Sequence, residues 1–131
     1  MLSFHGKKVY LCCGHTDMRK SINGLMTLVQ SSFNLDPFDG ALFAFCNRSR
    51  NLLKILEWDG DGFWLYYKRL EKGHFRWPAS SREMRLTGTH EVRSDATSTM
   101  TITGEELSIL LSSVRIELKI KRNEVLERKL V

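Results

Sequence analysis

The tetrapeptide Asp59-Gly60-Asp61-Gly62, set between two apolar and aromatic runs, constrains this chain more than any other feature. The runs are Leu52 to Trp58 and Phe63 to Leu70. Asp-Gly between strand-like runs marks a β-hairpin, because glycine accepts the positive φ of a tight turn. Closing the hairpin at Trp58 and Phe63 sets Leu56 against Leu65, Ile55 against Tyr66 and Lys54 against Tyr67. Cross-strand pairs of this kind contribute about 0.2–1 kcal/mol each. The ribbon has cationic ends: Arg48 and Arg50 precede it, and Lys68, Arg69, Lys72 and Arg76 follow it. It fits two roles, a nucleic-acid surface or a core sheet with solvated edges.

The elements around the hairpin read in order. Lys8–Cys13 alternates as a first strand that Gly14 ends. Thr16 then suits an N-cap, with Asp17 in a first helical turn. Met18, Ile22, Leu25, Met26, Val29 and Phe33 fall at helical spacing, which predicts one long amphipathic helix over 17–33. Gly24 inside it leaves room for a close neighbour. Asn34 to Gly40 is a turn. Ala41–Cys46 is nearly all apolar, as for a strand covered on both faces. Asn47 to Arg50 turns the chain into the hairpin, so three successive antiparallel strands are expected. His74 to Trp77 suits a further short strand, and Met84 to Leu86 another. Thr99 to Thr101 leads into Thr103-Gly104-Glu105-Glu106, whose Thr103 and Glu106 have capping-box spacing before a short helix over 105–113.

The fold class expected is α+β, a single domain over 1–114. It has a mainly antiparallel sheet of four to six strands, helix 17–33 on one face and helix 105–113 at an edge. Residues 115–131 form a basic extension, with a strand-like start and a helical end. A chain of 131 residues, 42% of them hydrophobic, holds enough apolar material for one core. No apolar run reaches the about 18 residues of a membrane span, and the N-terminus lacks a signal-peptide pattern. A cytoplasmic protein without membrane contact is therefore expected.

Charge and chemistry narrow the function. The net charge of +5 is uneven: residues 47–77 carry seven cations against four acids, and 115–131 carry six against three. Cys12, Cys13 and Cys46 are an odd set with two neighbours, which suits buried reduced thiols and not a disulfide framework. Cys13, His15 and Cys46 lack the spacing of a zinc site. Asp59-x-Asp61-Gly62 opens like a calcium loop, but Phe63 and Leu70 stand where oxygen ligands belong. Asp17, Asp36, Asp39, Glu57, Asp59 and Asp61 are the carboxylates available to a two-metal nuclease, yet each sits where a turn, cap or cross-strand partner needs one. No nucleophile motif or phosphate loop is present, so the residues point away from an enzyme, and neither cofactor nor metal is expected. What survives is basic residues interleaved with aromatics: Lys54, Tyr66, Tyr67, Lys68, Arg69, Phe75, Arg76 and Trp77.

Several motifs agree with one family. Val9-Tyr10-Leu11, Thr16-Asp17-Met18-Arg19-Lys20 with Gly24-Leu25, Asp36-Pro37-Phe38 and Leu42-Phe43-Ala44-Phe45 come first. Lys54 to Gly62, Tyr67 to Gly73, Phe75-Arg76-Trp77-Pro78 and Thr103 to Leu107 with Leu110-Leu111 follow. In order and spacing over 7–78 the chain resembles TnpB, the second-reading-frame accessory protein of the IS sixty-six family of bacterial insertion sequences. After Pro78 it departs from that pattern, with a longer stretch 79–102 and a different tail beyond Val114. The resemblance implies a small non-catalytic protein, encoded beside a separate transposase and needed for efficient transposition. It brings no catalytic residues, and it is distinct from the much longer RNA-guided nucleases that share the name. The expected partners are DNA at the transposon ends, the transposase and other element-encoded proteins, with a homo-oligomer also open. Phosphate contact is assigned to Arg48, Arg50, Lys68, Arg69, Lys72 and Arg76, with Arg19 and Lys20 as second choices. The alternative is a protein–protein adaptor for the transposase, docking through the aromatic hairpin or the tail, with no affinity for DNA.

Overall fold

The computed structural model describes residues 4–80, residue 83 and residues 98–112. The elements are β1 (Lys8–Cys12), α1 (Ile22–Ser31), β2 (Leu42–Cys46), β3 (Leu52–Trp58), β4 (Phe63–Arg69) and β5 (Thr99–Thr103). Residues 104–112 are helical and are called α2. The sheet has five strands in the order β4-β3-β2-β1-β5. The residues 84–86 and the extension 115–131 lie outside the described residues.

The hairpin register is the one its sequence implies: Trp58 pairs with Phe63, Leu56 with Leu65, Ile55 with Tyr66 and Lys54 with Tyr67. Gly60 has φ 95°, and the Asp59 amide donates to the Gly62 carbonyl at 2.9 Å. Phe38 packs against Trp58 and Phe63 with ring centroids 5.1 and 5.3 Å away, pinning the hairpin's tip to the turn after α1. β2, β3 and β4 form the expected antiparallel meander.

The sheet is mixed, however, because β1 and β2 run parallel. A strand, a helix and a strand in succession make a βαβ crossover, whose two strands must point the same way to lie side by side. β5, which the sequence reading passed over as a lead-in, pairs antiparallel with β1, Val9 opposite Ile102 and Leu11 opposite Met100. Its Thr-Met-Thr-Ile-Thr run is β-branched at every position but Met100, which suits a strand.

Two apolar layers sandwich the sheet. On one face, Leu25 and Val29 of α1 are fully buried against Phe43, Phe45 and Leu56. On the other, Val9, Leu11, Ala44 and Ile55 lie beneath Phe75, Trp77 and Leu107 of α2. β2 carries both layers, and all its residues are buried. The 74–77 segment is thus not a strand. It is an irregular strap that inserts Phe75 and Trp77, with the Trp77 indole donating to the Cys12 carbonyl at 3.0 Å. These two aromatics are core residues and are not available to stack on bases.

α1 is shorter than 17–33. Met18 and Lys20 give their carbonyls to the Lys54 ammonium, both at 2.8 Å, in place of helical amides. Asp17 turns its carboxylate to the Arg19 amide at 2.9 Å, so neither it nor Thr16 caps the helix. The cap position is Ser21, with no acidic residue in the first turn. At the other end the cap is Ser32, whose amide donates to the Leu28 carbonyl at 2.9 Å, and Asn34 at φ 55° lies two residues beyond it. The capping box of α2 forms as expected: the Glu106 amide donates to Thr103 Oγ1 at 3.0 Å, and the Thr103 amide to Glu106 Oε1 at 2.9 Å. α2 follows the edge strand and folds back, so that Leu107 is fully buried.

Candidate nucleic-acid interface

Parallel neighbours bring their carboxyl ends, and the loops after them, to one end of the sheet. In open α/β sheets that end is where ligands are usually held. Here the loops are 13–21, after β1, and 47–51, after β2. The Thr16 amide donates to the Cys46 carbonyl at 2.8 Å and ties the first loop to the end of β2. Gly14, at φ 83°, donates to the Pro78 carbonyl at 2.8 Å, and a Cβ there would come 2.7 Å from the Ser80 Cβ. The second loop is braced by Asn47, whose Oδ1 accepts from the Asn51 and Leu52 amides at 2.9 Å each.

Between these loops lies an open hollow of about 600 Å³. His15, Asp17, Arg19, Arg48 and Ser49 line it, with Leu52 of β3 and Tyr67 of β4 as its floor and wall. Arg69 pairs with Leu52 and shares the Tyr67 face of β4, since alternate residues of a strand point the same way. Tyr67 is 57% exposed. The ammonium of Lys54 sits 5.4 Å from its ring centroid, so Lys54 is spent on loop and ring.

The cations proposed from sequence divide accordingly. Arg19, Arg48 and Arg69 belong to this side. Arg19 is held by Asp17 at 2.8 Å, and Arg69 by Glu71 at 2.9 Å, in exposed pairs that water competes for. The Arg19 guanidinium and amide hold the Asp17 carboxyl far below the usual carboxylate range. Arg48 is exposed and has no carboxylate partner among the described residues. Its Nη2 lies 3.3 Å from His15 Nε2.

Arg50 is drawn inward. It donates to the Trp77 carbonyl at 2.7 Å and meets Glu83 Oε1 at 3.3 Å. Lys68 falls on the opposite face from Tyr67 and Arg69. Lys72 and Arg76 are exposed after β4, Arg76 between the buried Phe75 and Trp77. Lys20 is half-buried, its stem against Gly24. The eight positions therefore do not make one surface.

Sequence reasoning missed His15 and Ser49 as lining residues. Each follows a strand end, and recognising the βαβ unit would have placed them together. His15 Nδ1 is 2.7 Å from Glu83 Oε2. With the guanidinium donating, His15 accepts from Arg48 at Nε2 and donates to Glu83 at Nδ1. Arg48, His15, Glu83 and Arg50 thus form one chain of contacts that sets the rim of the hollow.

Asp17, as above, and four of the other carboxylates weighed for catalysis have structural partners. Asp36 accepts from the Phe38 amide and Asp39 from the Ala41 amide, both at 2.9 Å. Asp59 accepts from the Trp64 indole at 2.6 Å, and Glu57 from the Tyr66 hydroxyl at 2.8 Å and the Lys7 ammonium at 2.7 Å. Burial, then the Glu57 hydrogen bond, push the Tyr66 hydroxyl up to about 12, so it stays a donor at any ordinary pH. All three cysteines are free and buried, and burial raises each thiol. Among the described residues, no group of three or more His, Cys, Asp or Glu could hold a metal ion. No helix among them is long and apolar enough to cross a membrane.

Two relatives come from Sinorhizobium fredii, the uncharacterized proteins y4hO and y4jC. They are 45% and 36% identical over 73 residues, which is 56% of this chain. The matches span 64% and 62% of those proteins, just under two thirds of their length. No solved structure matches the chain. The family model described as IS66 Orf2 like protein matches residues 7–121. That match runs past Pro78, across the stretch 79–102 and into the start of the tail. The motifs and this match agree: the chain belongs to the IS66 Orf2-like family of insertion-sequence accessory proteins.

Proposed function

We propose that this protein is a non-catalytic accessory factor of transposition that binds DNA at the ends of its element, through the hollow beyond β1 and β2. One observation carries the reading. Arg48, an exposed guanidinium with no carboxylate partner among the described residues, stands on a braced turn between Arg19 and the Tyr67 wall. A guanidinium matches phosphate geometry in a bidentate manner, and a fixed turn lowers the entropy cost of contact. Arg19 and Arg69 exchange weak, exposed carboxylate pairs for phosphates. The exposed Tyr67 ring offers a stacking surface to an unpaired base. Lys68, Lys72 and Arg76 add a diffuse field from β4 and the strap, and Arg50 serves the structure of the rim.

Electrophoretic mobility shift with the terminal repeats of an IS66-type element tests this. Binding at low salt is expected, weakening as salt rises because phosphate contacts release counterions. The double variant Arg48→Glu, Arg69→Glu lowers affinity by about tenfold or more, and Arg48→Ala alone reduces the salt slope by about 1. Absence of a shift at low salt, or affinity unchanged in the double variant, would overturn the reading. A transposase complex that persists at salt sufficient to abolish phosphate contacts favours the adaptor role instead, for which Trp64, 55% exposed on the hairpin, is the supporting observation.

A further inference from the structure

β4 is an edge strand, paired with β3 alone among the described residues. Its free side can be deduced. The Asp59 amide bonds to the Gly62 carbonyl, and the Leu70 amide to the Asn51 carbonyl, at 2.9 and 2.8 Å. Hydrogen-bonded pairs alternate along an antiparallel ladder. Trp64, Tyr66 and Lys68 therefore turn their amides and carbonyls to β3. Phe63, Leu65, Tyr67 and Arg69 turn theirs outward, where no described residue meets them. Such a row is a template for another strand.

The side chains of β4 select which strand. Phe63, Trp64 and Leu65 precede Tyr66, and Tyr67, Lys68 and Arg69 follow it. A two-fold axis through Tyr66 sets Trp64 opposite Lys68 of a second copy, Phe63 opposite Arg69, and Leu65 opposite Tyr67. Every cation then faces an aromatic ring. The residues with outward amides oppose one another directly, as an antiparallel ladder requires. A parallel alignment in register would set Lys68 against Lys68 and Arg69 against Arg69. Charges on an edge strand ordinarily deter pairing. Here they are placed where self-pairing turns them into cation–aromatic contacts, which contribute about 0.5–1 kcal/mol each at exposed sites. Trp64, at 55% exposure, lies on this edge, and the pairing brings Lys68 of the second copy against it.

We infer that the protein forms a two-fold dimer by antiparallel β4–β4 pairing centred on Tyr66, which joins two sheets into one and places two basic hollows symmetrically about the axis. The inference does not rest on DNA binding.

Sedimentation of the full chain, with circular dichroism to verify folding, tests it. A dimer, twice the 15.2 kDa of one chain, is expected at high micromolar concentration. Trp64→Lys sets lysine against Lys68 of the other copy and weakens the dimer by about tenfold or more. Trp64→Glu, which sets an anion there, retains the dimer. The double variant Trp64→Lys, Lys68→Glu regains it. Tyr67→Pro removes an outward amide without touching the β3 ladder and gives a folded monomer. A wild-type monomer, or equal loss in Trp64→Lys and Trp64→Glu, overturns the inference. So does a dimer that dissociates on deletion of 115–131 while every β4 variant retains it.

Discussion

Gly104 has no room for a side chain. A Cβ on it would overlap the carbonyl oxygen of Phe4, which is itself fixed by the Lys7 amide at 3.0 Å. The Gly104 amide donates in turn to the Lys7 carbonyl at 2.8 Å. Gly104→Ala therefore costs more than the about 1 kcal/mol expected for losing the neighbouring cap in Thr103→Ala. Urea unfolding of the two variants checks the order. Glu83 gives a second prediction. Burial raises its carboxyl, but the His15 and Ser80 hydrogen bonds, with the Arg50 charge, outweigh burial and hold it below its ordinary value. A carboxylate lowered by folding stabilises the fold above its unfolded pKa, and the contribution is lost as pH falls through the folded value. Glu83→Gln is thus less stable than wild type at neutral pH by on the order of 1 kcal/mol. Unfolding curves at falling pH show the gap closing below the ordinary carboxylate range. These side chains also show where sequence reading stops. Arg50 looked like a phosphate ligand because Trp77 and Glu83, 27 and 33 residues away, carried no mark of being its partners.

Among the elements, the hairpin was fully legible. Its alternation and its Asp-Gly turn act within a few residues, and either alone fixes the same register. The capping box of α2 is equally local. The start of α1 was not legible, because Lys54, 36 residues downstream, takes the Met18 carbonyl that a longer helix would use. The stripe that fixes α1 to the sheet was read correctly at Leu25 and Val29, both fully buried. Leu25→Ala should cost about 2–5 kcal/mol, the range for emptying a tightly packed leucine site. Thermal or urea unfolding tests this. A loss under about 1 kcal/mol would mean the helix is loosely seated.

For the whole molecule, composition and spacing gave the α+β class and one layer of helix. Strand direction was the part withheld. An apolar run reads the same in either direction, and only the crossover helix between β1 and β2 makes them parallel. That single fact turns two unrelated loops into one hollow, and the alternation along β4 sets Arg69 on its side and Lys68 on the other. The candidate site was thus half visible: its charges could be named, but not their grouping.

The strand order also governs how the chain can be made. β1 pairs on one side with β2 but on the other with β5, far later in the chain, Lys8 opposite Thr103. Until residues 99–103 have left the ribosome, the outer edge of β1 has no partner, and the core beneath α2 lacks Leu107. A nascent chain arrested after Pro78 would hold the hairpin and α1 but expose that edge, so completing the described sheet waits on β5, which lies far from β1 in the chain.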